Sequence, residues 1–342
     1  TVHQVRTPSE LCTALLNASG GIVPGDTVLV HAGTYDQKTP GSPGTQHIQL
    51  RLRGTVDKPI FVRAAPGARA KLTATGTFPA LLHIHAENVV VSGLELMSSA
   101  PDQIPSQVGG GAVNVHGIDA MDPTGLVSRN VKLLHLVAHD CWGSAFGIDK
   151  TTQGVEIIGC IAYNFGRNGV VAGHENRGGY GIYGQAITGL RMFDTIMGPS
   201  VPKGGDFYWH FYGQAGALNN IHLEGNIVAG KGGGTWVLVG SPEQVAENPV
   251  LLRNYVHNAG VNLGFWPLNG MGVRNGRVEE NIFHTGIRQC GMKSAGGTHV
   301  VRGNQVVGPL AADWTAAAYP DNTVTATPPS GQQVIVRPQI RL

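Results

Sequence analysis

The sequence predicts an all-β chain wound as a right-handed parallel β-helix, a solenoid with one short N-terminal capping helix. The first observation is compositional: glycine is the outlier with 50 residues beside 20 prolines, yet 42% of the 342 residues are apolar. This balance indicates many short strands separated by tight turns. The second observation is a short pattern, a turn residue followed by two alternating β-runs, that recurs along most of the chain. A solenoid of this length is one domain, because extra length only adds coils.

The repeated pattern begins at an Asn or a Gly each time. In chain order the repeats read NVVVSGLEL, NVKLLHLVA, GVEIIGCIA, GLRMFDTIM, NIHLEGNIV, NPVLLRNYV, GRVEENIFH and GTHVVRGNQ. Their starts are separated by 42, 24, 35, 31, 28, 28 and 21 residues. A drifting interval excludes a propeller with uniform blades but suits a β-helix, which expels insertions at its turns.

The N-terminal segment predicts the helix that caps the first coil. Residues 7–10, TPSE, form a capping box with proline in the first turn. Leu11 and Leu15 then lie on one apolar stripe, and a Gly-Gly pair ends the helix. Within a single domain over 1–342, we expect the capping helix at about 7–21, the coils at about 22–308 and a C-terminal cap at about 309–342.

Two ladders of stacked side chains are predicted in the C-terminal coils. The first consists of asparagines at matching positions: Asn226, Asn254, Asn281 and Asn304. Such amides hydrogen-bond along the solenoid axis and satisfy backbone groups at the turns. The second is a cross-strand charge ladder on an outward face: His222, Glu224, Arg253 and Glu280.

The cysteines have no metal-ligand spacing. Cys141 and Cys160 are 19 residues apart, close to one short coil. They are therefore candidates for a disulfide between adjacent coils, with buried free thiols as the alternative.

The charge content argues against two classes of partner. Charged residues are only 13% of the chain and the formal net charge is +2, so the surface offers little long-range attraction for nucleic acid or a membrane. No apolar run is long enough to span a bilayer. Coiled-coil heptads are also missing, so we expect a monomer rather than a trimer.

The coil sequences resemble a known superfamily. The segments PGDTVLVHAGTY, GTVDKPIFVRAAPG and NVVVSGLEL are similar to the first coils of alginate- and chondroitin-type lyases. The whole chain resembles the pectate-lyase-like β-helix superfamily of polysaccharide lyases, glycoside hydrolases, uronate epimerases and phage tailspikes. The middle, from GYGIYGQ through NNIHLEGN, resembles bacterial β-helix repeat proteins without an established reaction. The resemblance implies a polysaccharide partner and a secreted or periplasmic protein whose signal peptide has been removed.

Two similar segments point to the binding face. YGIYGQ begins at Tyr180 and WHFYGQ at Trp209, an offset of 29 residues. If they are the same strand of consecutive coils, Tyr183 lies about 4.8 Å from Tyr212, and the two glutamines are equally close. The same alignment places further outward side chains in one strip, which then consists of His116, Asp149, Tyr183, Gln185, His210, Tyr212, Gln214 and Trp266. Aromatic faces with amide and acid edges are typical of sugar recognition, and a ladder that only stabilises the coils is the alternative.

Long insertions flank this strip. They are residues 97–112, 173–179 and 202–208, and loops on a rigid scaffold often carry binding groups. We expect them to add side chains over one groove, although each taken singly also fits a solvated loop residue: His174, Glu175, Arg177, Lys203 and Asp206.

A lyase on an acidic glycan is the favoured function. Such an enzyme neutralises a uronate carboxylate, for which Arg177, Lys150 or a Ca²⁺ ion held by carboxylates is suited. It also needs a base and an acid. The predicted catalytic residues are Asp149, Lys150, Tyr183, His210 and Tyr212, and the predicted substrate-binding residues are His116, His174, Glu175, Arg177, Gln185, Lys203, Asp206, Gln214 and Trp266. No cofactor is predicted with certainty and no metal ligands are assigned.

Three alternatives stay open. A glycoside hydrolase would use two carboxylates among Asp149, Glu175 and Asp206. An epimerase would use the lyase residues and return the proton to the opposite face. A non-catalytic glycan-binding or structural β-helix, similar to a tailspike or an adhesin, would need the aromatic strip alone.

Overall fold

A computed structural model describes most of the chain. The described residues are 1–17, 19–36, 48–74, 80–98, 111–115, 127–166, 179–200, 207–212, 216, 218–230, 236–240, 245–263, 273–284, 286–290, 296–308, 310, 314–315 and 317–325. Within these ranges the chain forms one α-helix and three long parallel sheets, with a short fourth sheet beside the first.

Sheet 1 contains, in spatial order, β1 (Val2–Val5), β2 (Thr27–Val30), β5 (Ile60–Ala64), β8 (Glu87–Ser92), β11 (Arg129–Leu134), β14 (Glu156–Ile158), β17 (Arg191–Phe193), β21 (His222–Glu224), β25 (Val250–Leu252), β29 (Arg277–Glu279) and β32 (Val300–Arg302). Sheet 2 contains β3 (Gly33–Asp36), β6 (Ala70–Ala74), β9 (Leu94–Ser98), β12 (Val137–His139), β15 (Ile161–Tyr163), β18 (Ile196–Met197), β22 (Ile227–Ala229), β26 (Tyr255–His257), β30 (Ile282–Phe283), β33 (Gln305–Val307) and β34 (Thr323–Thr325).

Sheet 3 contains β4 (Ile48–Leu50), β7 (Ala80–Ile84), β10 (Gly111–Val115), β13 (Phe146–Ile148), β16 (Ile182–Gln185), β19 (Phe207–Tyr212), β23 (Trp236–Gly240), β27 (Gly260–Leu263) and β31 (Ile287–Cys290). The fourth sheet is β20 (Leu218–Asn219), β24 (Ala246–Glu247) and β28 (Val273–Arg274).

The order of these strands in the chain defines the fold. The chain passes from sheet 1 to sheet 2 to sheet 3 and back, as in β8, β9, β10 and then β11. Every pairing between coils is parallel, for example Val89 with Val131 in sheet 1 and Leu96 with Ala138 in sheet 2. The predicted right-handed parallel β-helix is therefore confirmed.

The interior is a continuous apolar core along the solenoid axis. Inward positions alternate with outward ones, and the largest fully buried side chains include Trp142, Trp209, Trp314, Phe146 and Phe211. At the C-terminal end, the Trp314 ring lies 4.7 Å from Tyr319, measured between centroids. Residues 326–342, half of the expected C-terminal cap, lie outside the described residues.

The N-terminal helix α1 (Pro8–Leu16) closes the first coil as predicted. The hydroxyl of Thr7 accepts from the backbone N–H of Glu10, and the Glu10 carboxylate accepts from the N–H of Thr7, which completes the capping box. Leu11 and Leu15 are fully buried. The helix ends earlier than the Gly-Gly pair, at Asn17, whose φ of 51° is left-handed.

The corners of each coil are made by residues in the left-handed region. At the entry to sheet 1 they are Asn88, Asn130, Gly154, Gly189, Asn220, Asn248, Asn275 and Gly297, with φ between 50° and 92°. These residues are the first residues of the repeated sequence pattern, except that Asn275 takes the place of Gly276. Glycine and asparagine tolerate this conformation, which costs most residues about 1–2 kcal/mol. At Gly154 a Cβ atom would also lie only 2.8 Å from Oδ1 of Asn130.

The asparagine ladder between sheets 1 and 2 is confirmed and is longer than predicted. Oδ1 of Asn254 accepts from the backbone N–H of Asn226 at 3.1 Å and from its Nδ2 at 3.0 Å. The same pair of bonds joins Asn254 to Asn281 and Asn281 to Asn304. Asn322 continues the ladder below Asn304. These amides satisfy backbone groups that no sheet neighbour reaches.

The disulfide candidate is wrong, because Cys141 and Cys160 are both free thiols. Val137 pairs with Ile161, so Cys160 is level with Leu136 rather than with Cys141. Cys160 occupies the ladder position, where Sγ accepts from the backbone N–H of Leu136 at 3.4 Å. Burial raises the pKa of both thiols, that of Cys160 to about 12, so both are unreactive near neutral pH.

The charge ladder on the outer face of sheet 1 is confirmed. Glu224 bonds to Arg253 of the next coil and approaches His222 at 3.0 Å on its own strand. Further ion pairs lie in the coils before and after it. Nζ of Lys132 is 3.0 Å from a carboxylate oxygen of Glu156, and Nε of Arg302 is 2.8 Å from one of Glu279. Since its charges pair with one another, this face is a solvated structural surface.

No helix in the described part of the chain is long and apolar enough to cross a membrane.

Removing one rung of the asparagine ladder should destabilise the solenoid. Asn254→Ala leaves the N–H of Asn226 and the carbonyl of Leu223 without their buried partner. We expect the free energy of unfolding to fall by about 3 kcal/mol. The measurement is the denaturant midpoint.

The matched control is Asn248→Gly, at an exposed corner with φ of 53°. Glycine fits that conformation, so the loss should stay below about 1 kcal/mol. Equal losses in the two variants would contradict the structural role of the ladder.

Candidate functional site

On the outer face of sheet 3, several polar side chains are sheltered from solvent. Outward residues of sheet 1 such as Lys132 and Arg191 are exposed. On sheet 3 the outward side chains of His83, His210 and Asn262 are buried. A sheltered face that carries polar and aromatic groups is the preferred setting for a ligand site.

The register of sheet 3 places Tyr183 directly beside His210 and Gln185 beside Tyr212. Ile182, Trp209 and Phe211 are fully buried on the opposite face of these strands. The prediction that Tyr183, Gln185 and His210 face outward agrees with this alternation, and of Tyr212 only the backbone is described.

The predicted pairing of Tyr183 with Tyr212, and of Gln185 with Gln214, is wrong by two residues. The similar motifs YGIYGQ and WHFYGQ are not in register, because Phe211 pairs with Gly184 rather than with Ile182. Glycine fits this contact closely, since a Cβ at Gly184 would lie 3.0 Å from the Phe211 ring and 2.7 Å from Cδ1 of Ile187. The interior therefore sets the register, and the outward motif does not.

The same shift corrects the position of Asp149. Val115 pairs with Ile148 as expected, but Ile148 pairs with Gly184. Asp149 therefore lies level with Gln185, and Gly147 is the neighbour of Tyr183. Lys150 follows in an exposed turn.

Four rings form an aromatic cluster on this face: Tyr180, Tyr183, Phe207 and His210. The His210 ring stacks on Phe207 with centroids 4.4 Å apart and an interplanar angle of 11°. Its centroid is 4.8 Å from that of Tyr180 and 5.2 Å from that of Tyr183. The two tyrosines stack on each other at 5.2 Å. His210 is thus enclosed by aromatic rings, and Tyr180 and Phe207 were not among the predicted site residues.

A bulge in β19 explains why the sequence pattern missed Phe207. The register shifts between Phe207 and Trp209, and Tyr208 and Trp209 are both fully buried. Two consecutive inward residues break the alternation, so Phe207 lies on the same face as His210. In the preceding coil, Gly181 and Ile182 are likewise both buried, which brings Tyr180 beside Tyr183. A Cβ at Gly181 would lie 2.6 Å from the Tyr208 carbonyl oxygen.

Enclosure changes the protonation of His210. Its exposed fraction is 9%, and loss of solvation disfavours the charged imidazolium. Burial lowers the pKa of His210 to about 4. The cluster therefore presents a neutral imidazole next to a phenol at physiological pH, a pair able to accept and to donate a proton.

The remaining predicted residues lie outside the described residues. These are His116, His174, Glu175, Arg177, Lys203, Asp206, Gln214 and Trp266. Their predicted roles stay predictions.

The donor set does not fit a calcium site in the described part of the chain. Ca²⁺ takes six to eight oxygen ligands. Among the described residues, no three His, Cys, Asp or Glu side chains converge closely enough to hold a metal ion. No chemical step is therefore assigned to Ca²⁺.

Comparison with known proteins shows a likeness in fold. No protein-family model matches the chain, and no curated protein matches its sequence. A mannuronic acid specific family 6 polysaccharide lyase from human gut microbiota superimposes with a TM-score of 0.56 at 16% identity, over 90% of this chain and 65% of that one. This chain thus spans slightly less than two thirds of that lyase.

Two further solved structures are similar. The pectate lyase Pel9A gives a TM-score of 0.54 at 15% identity, over 95% of this chain and 78% of its own. ORF18 of Geobacillus virus E2 gives 0.54 at 12% identity, over 94% and 60%. The protein therefore has the pectate-lyase-like right-handed parallel β-helix fold. At these identities the likeness defines the fold and not the reaction.

The low pKa of His210 should appear as pH-dependent stability. Between pH 6.5, the ordinary pKa of histidine, and the folded pKa of about 4, His210 is protonated in the unfolded chain and neutral in the folded protein. Stability should therefore fall as the pH drops through this window, by about 3 kcal/mol at most from this residue. His210→Phe keeps a stacked ring and removes the proton site, so its denaturant midpoint should fall less between pH 6.5 and 4.

The control for this measurement is His135→Asn, at an exposed corner with φ of 52°. That variant should keep the pH slope of the parent protein. A His210→Phe protein that loses stability as steeply as the parent would contradict the buried, neutral imidazole.

Proposed function

We propose that the protein is a polysaccharide lyase that binds an acidic glycan along the outer face of sheet 3. The observation that carries this proposal is the enclosed, neutral His210 with its ring centroid 5.2 Å from that of Tyr183 on a sheltered face. Two proteins with this fold are lyases named for mannuronic acid and for pectate, which supports an acidic sugar as the substrate class. The roles of the individual residues in the reaction are proposed from the chemistry of their side chains.

β-Elimination requires a base for the C5 proton and an acid for the leaving oxygen. In the proposed reaction Nε2 of His210 takes the C5 proton of a uronate, since Nδ1 is buried. The electron pair left behind forms the C4–C5 double bond, the C4–O bond breaks, and the Tyr183 hydroxyl protonates the leaving oxygen. The ring of Tyr180 offers an apolar surface for the sugar face. Lys150, exposed two residues beyond the end of β13, supplies a positive charge for the uronate carboxylate.

Hydrolysis is less well supported. A glycosidase of the common type needs two carboxyl groups flanking the bond. Asp149 is the only carboxylate among the described residues of the sheet 3 outer face. A hydrolase would therefore depend on Glu175 or Asp206, outside the described residues.

The proposal extends to location and assembly. A protein that degrades polysaccharide acts where the polymer is, so we propose a secreted or periplasmic monomer. Size-exclusion chromatography with light scattering tests the assembly state, and a trimer would argue for a tailspike-like role instead.

The first test is a panel of acidic and neutral polysaccharides, each with added Ca²⁺ and with a chelator. A lyase yields new reducing ends together with the ultraviolet absorbance of an unsaturated uronate. New ends without that absorbance would indicate hydrolysis. Binding without either signal across the panel would overturn the enzyme proposal in favour of a non-catalytic glycan-binding protein.

The second test removes the acid and the base separately. Tyr183→Phe keeps the ring and deletes the hydroxyl, and His210→Gln deletes the imidazole. We expect kcat to fall by about 10²–10⁴ in each variant, since both act on a proton in the transition state. The matched control is Tyr163→Phe, on the outer face of sheet 2, which should keep the parent rate. Equal activity of Tyr183→Phe and Tyr163→Phe would contradict the assigned acid.

The pH dependence of the reaction tests the base independently. Only neutral His210 accepts a proton, and its pKa is lowered to about 4. The acidic limb of kcat/KM should therefore fall near pH 4 and not near 6.5. A limb near 6.5 would point to a solvated histidine elsewhere.

A further inference from the structure

Two histidines lie side by side on the outer face of sheet 2, away from the proposed catalytic face. Tyr255 pairs with Ile282 and Val256 with Phe283, so His257 is level with His284 in the next coil. The backbone N–H of His284 donates to the Val256 carbonyl at 2.8 Å, which keeps the register to this point. Val256 and Phe283 are fully buried, so both imidazoles face outward.

The geometry of the pair suits chelation. The ring centroids are 5.5 Å apart and the planes meet at 59°. A metal ion about 2.1 Å from one nitrogen of each ring places the centroids about 5 Å apart. Both side chains are half-buried, so rigid adjacent strands hold them while solvent reaches them.

The ring nitrogens of the pair are not used by the fold. In the described part of the chain they make no hydrogen bond, and their contacts are with each other and with the Tyr255 ring. His139 in the same column of sheet 2 is different, because Asp140 and Glu95 bind its two nitrogens at 2.7 and 3.1 Å. His139 is therefore a structural residue, whereas His257 and His284 keep their lone pairs available.

The surroundings of the pair favour the neutral form of the His284 imidazole. Burial and the neighbouring His257 lower the pKa of His284, and a neutral ring is the form that binds metals. In the preceding coils the same column holds two small residues, Ala229 and, one coil earlier, Gly198.

We propose that His257 and His284 form a binding site for one divalent transition-metal ion of the zinc, nickel and copper class. Imidazole pairs select these ions over Ca²⁺ and Mg²⁺, which prefer oxygen. Among the described residues no third His, Cys, Asp or Glu joins the pair. Water therefore completes the coordination, and the site stays open to an exogenous ligand.

The test is isothermal titration of the full chain, free of any histidine tag and dialysed against a chelator, with ZnCl₂, NiCl₂ and CuCl₂. One ion per chain should bind, and the thermal midpoint should rise with metal concentration. CaCl₂ and MgCl₂ should give no saturable heat.

Variants locate the site. His257→Gln and His284→Gln should each weaken binding by about tenfold or more, and the double variant should abolish it. His135→Asn removes one exposed imidazole elsewhere and should bind as the parent does, with circular dichroism confirming that each variant is folded. Absence of transition-metal binding by the parent protein would overturn the proposal, and so would unchanged binding by the double variant.

Discussion

The sharp corner between consecutive strands is the constraint on which this structure depends. Each coil must turn three times while keeping its strands in register with the coils on either side. Left-handed residues at the entry to sheet 1 and at its exit make two of these turns, and asparagine or glycine holds most of the entry positions. At the exit, the ladder from Asn226 to Asn322 binds the backbone groups that the turn exposes. Repetition of one corner geometry is what lets strands of two or three residues stack into long sheets.

Because the corners and the core fix the register, the three outer faces are free to differ. Sheet 1 carries paired charges such as Lys132 and Glu156, which stay in solvent. Sheet 2 carries the hydrogen-bonded imidazole of His139 and, further along, the pair formed by His257 and His284. Sheet 3 carries the aromatic cluster, where the β19 bulge and Gly181 turn extra rings outward. The proposed site thus lies where the regular coil is locally broken, as is common for functional sites.

The sequence predicted the fold from features that recur in every coil, namely the corner residues, the short β-runs and the asparagine ladder. The site was harder, because its register depends on the fit of Phe211 against Gly184 in the core. Two outward motifs that look alike were therefore aligned two residues away from their true pairing. The sequence pattern also places Phe207 in a loop, since strict alternation does not anticipate a bulge. The disulfide hypothesis for Cys141 and Cys160 depends on coil length alone, which does not reveal that Cys160 is level with Leu136.

The central claim is that the aromatic cluster of sheet 3 holds the sugar at the bond to be cleaved. A crystal structure of the inactive His210→Gln protein with a bound acidic oligosaccharide tests it most directly. The account predicts a sugar ring against Tyr180, with the glycosidic oxygen within hydrogen-bonding distance of the Tyr183 hydroxyl. An oligosaccharide seated on sheet 1 or sheet 2, with the cluster untouched, would contradict it.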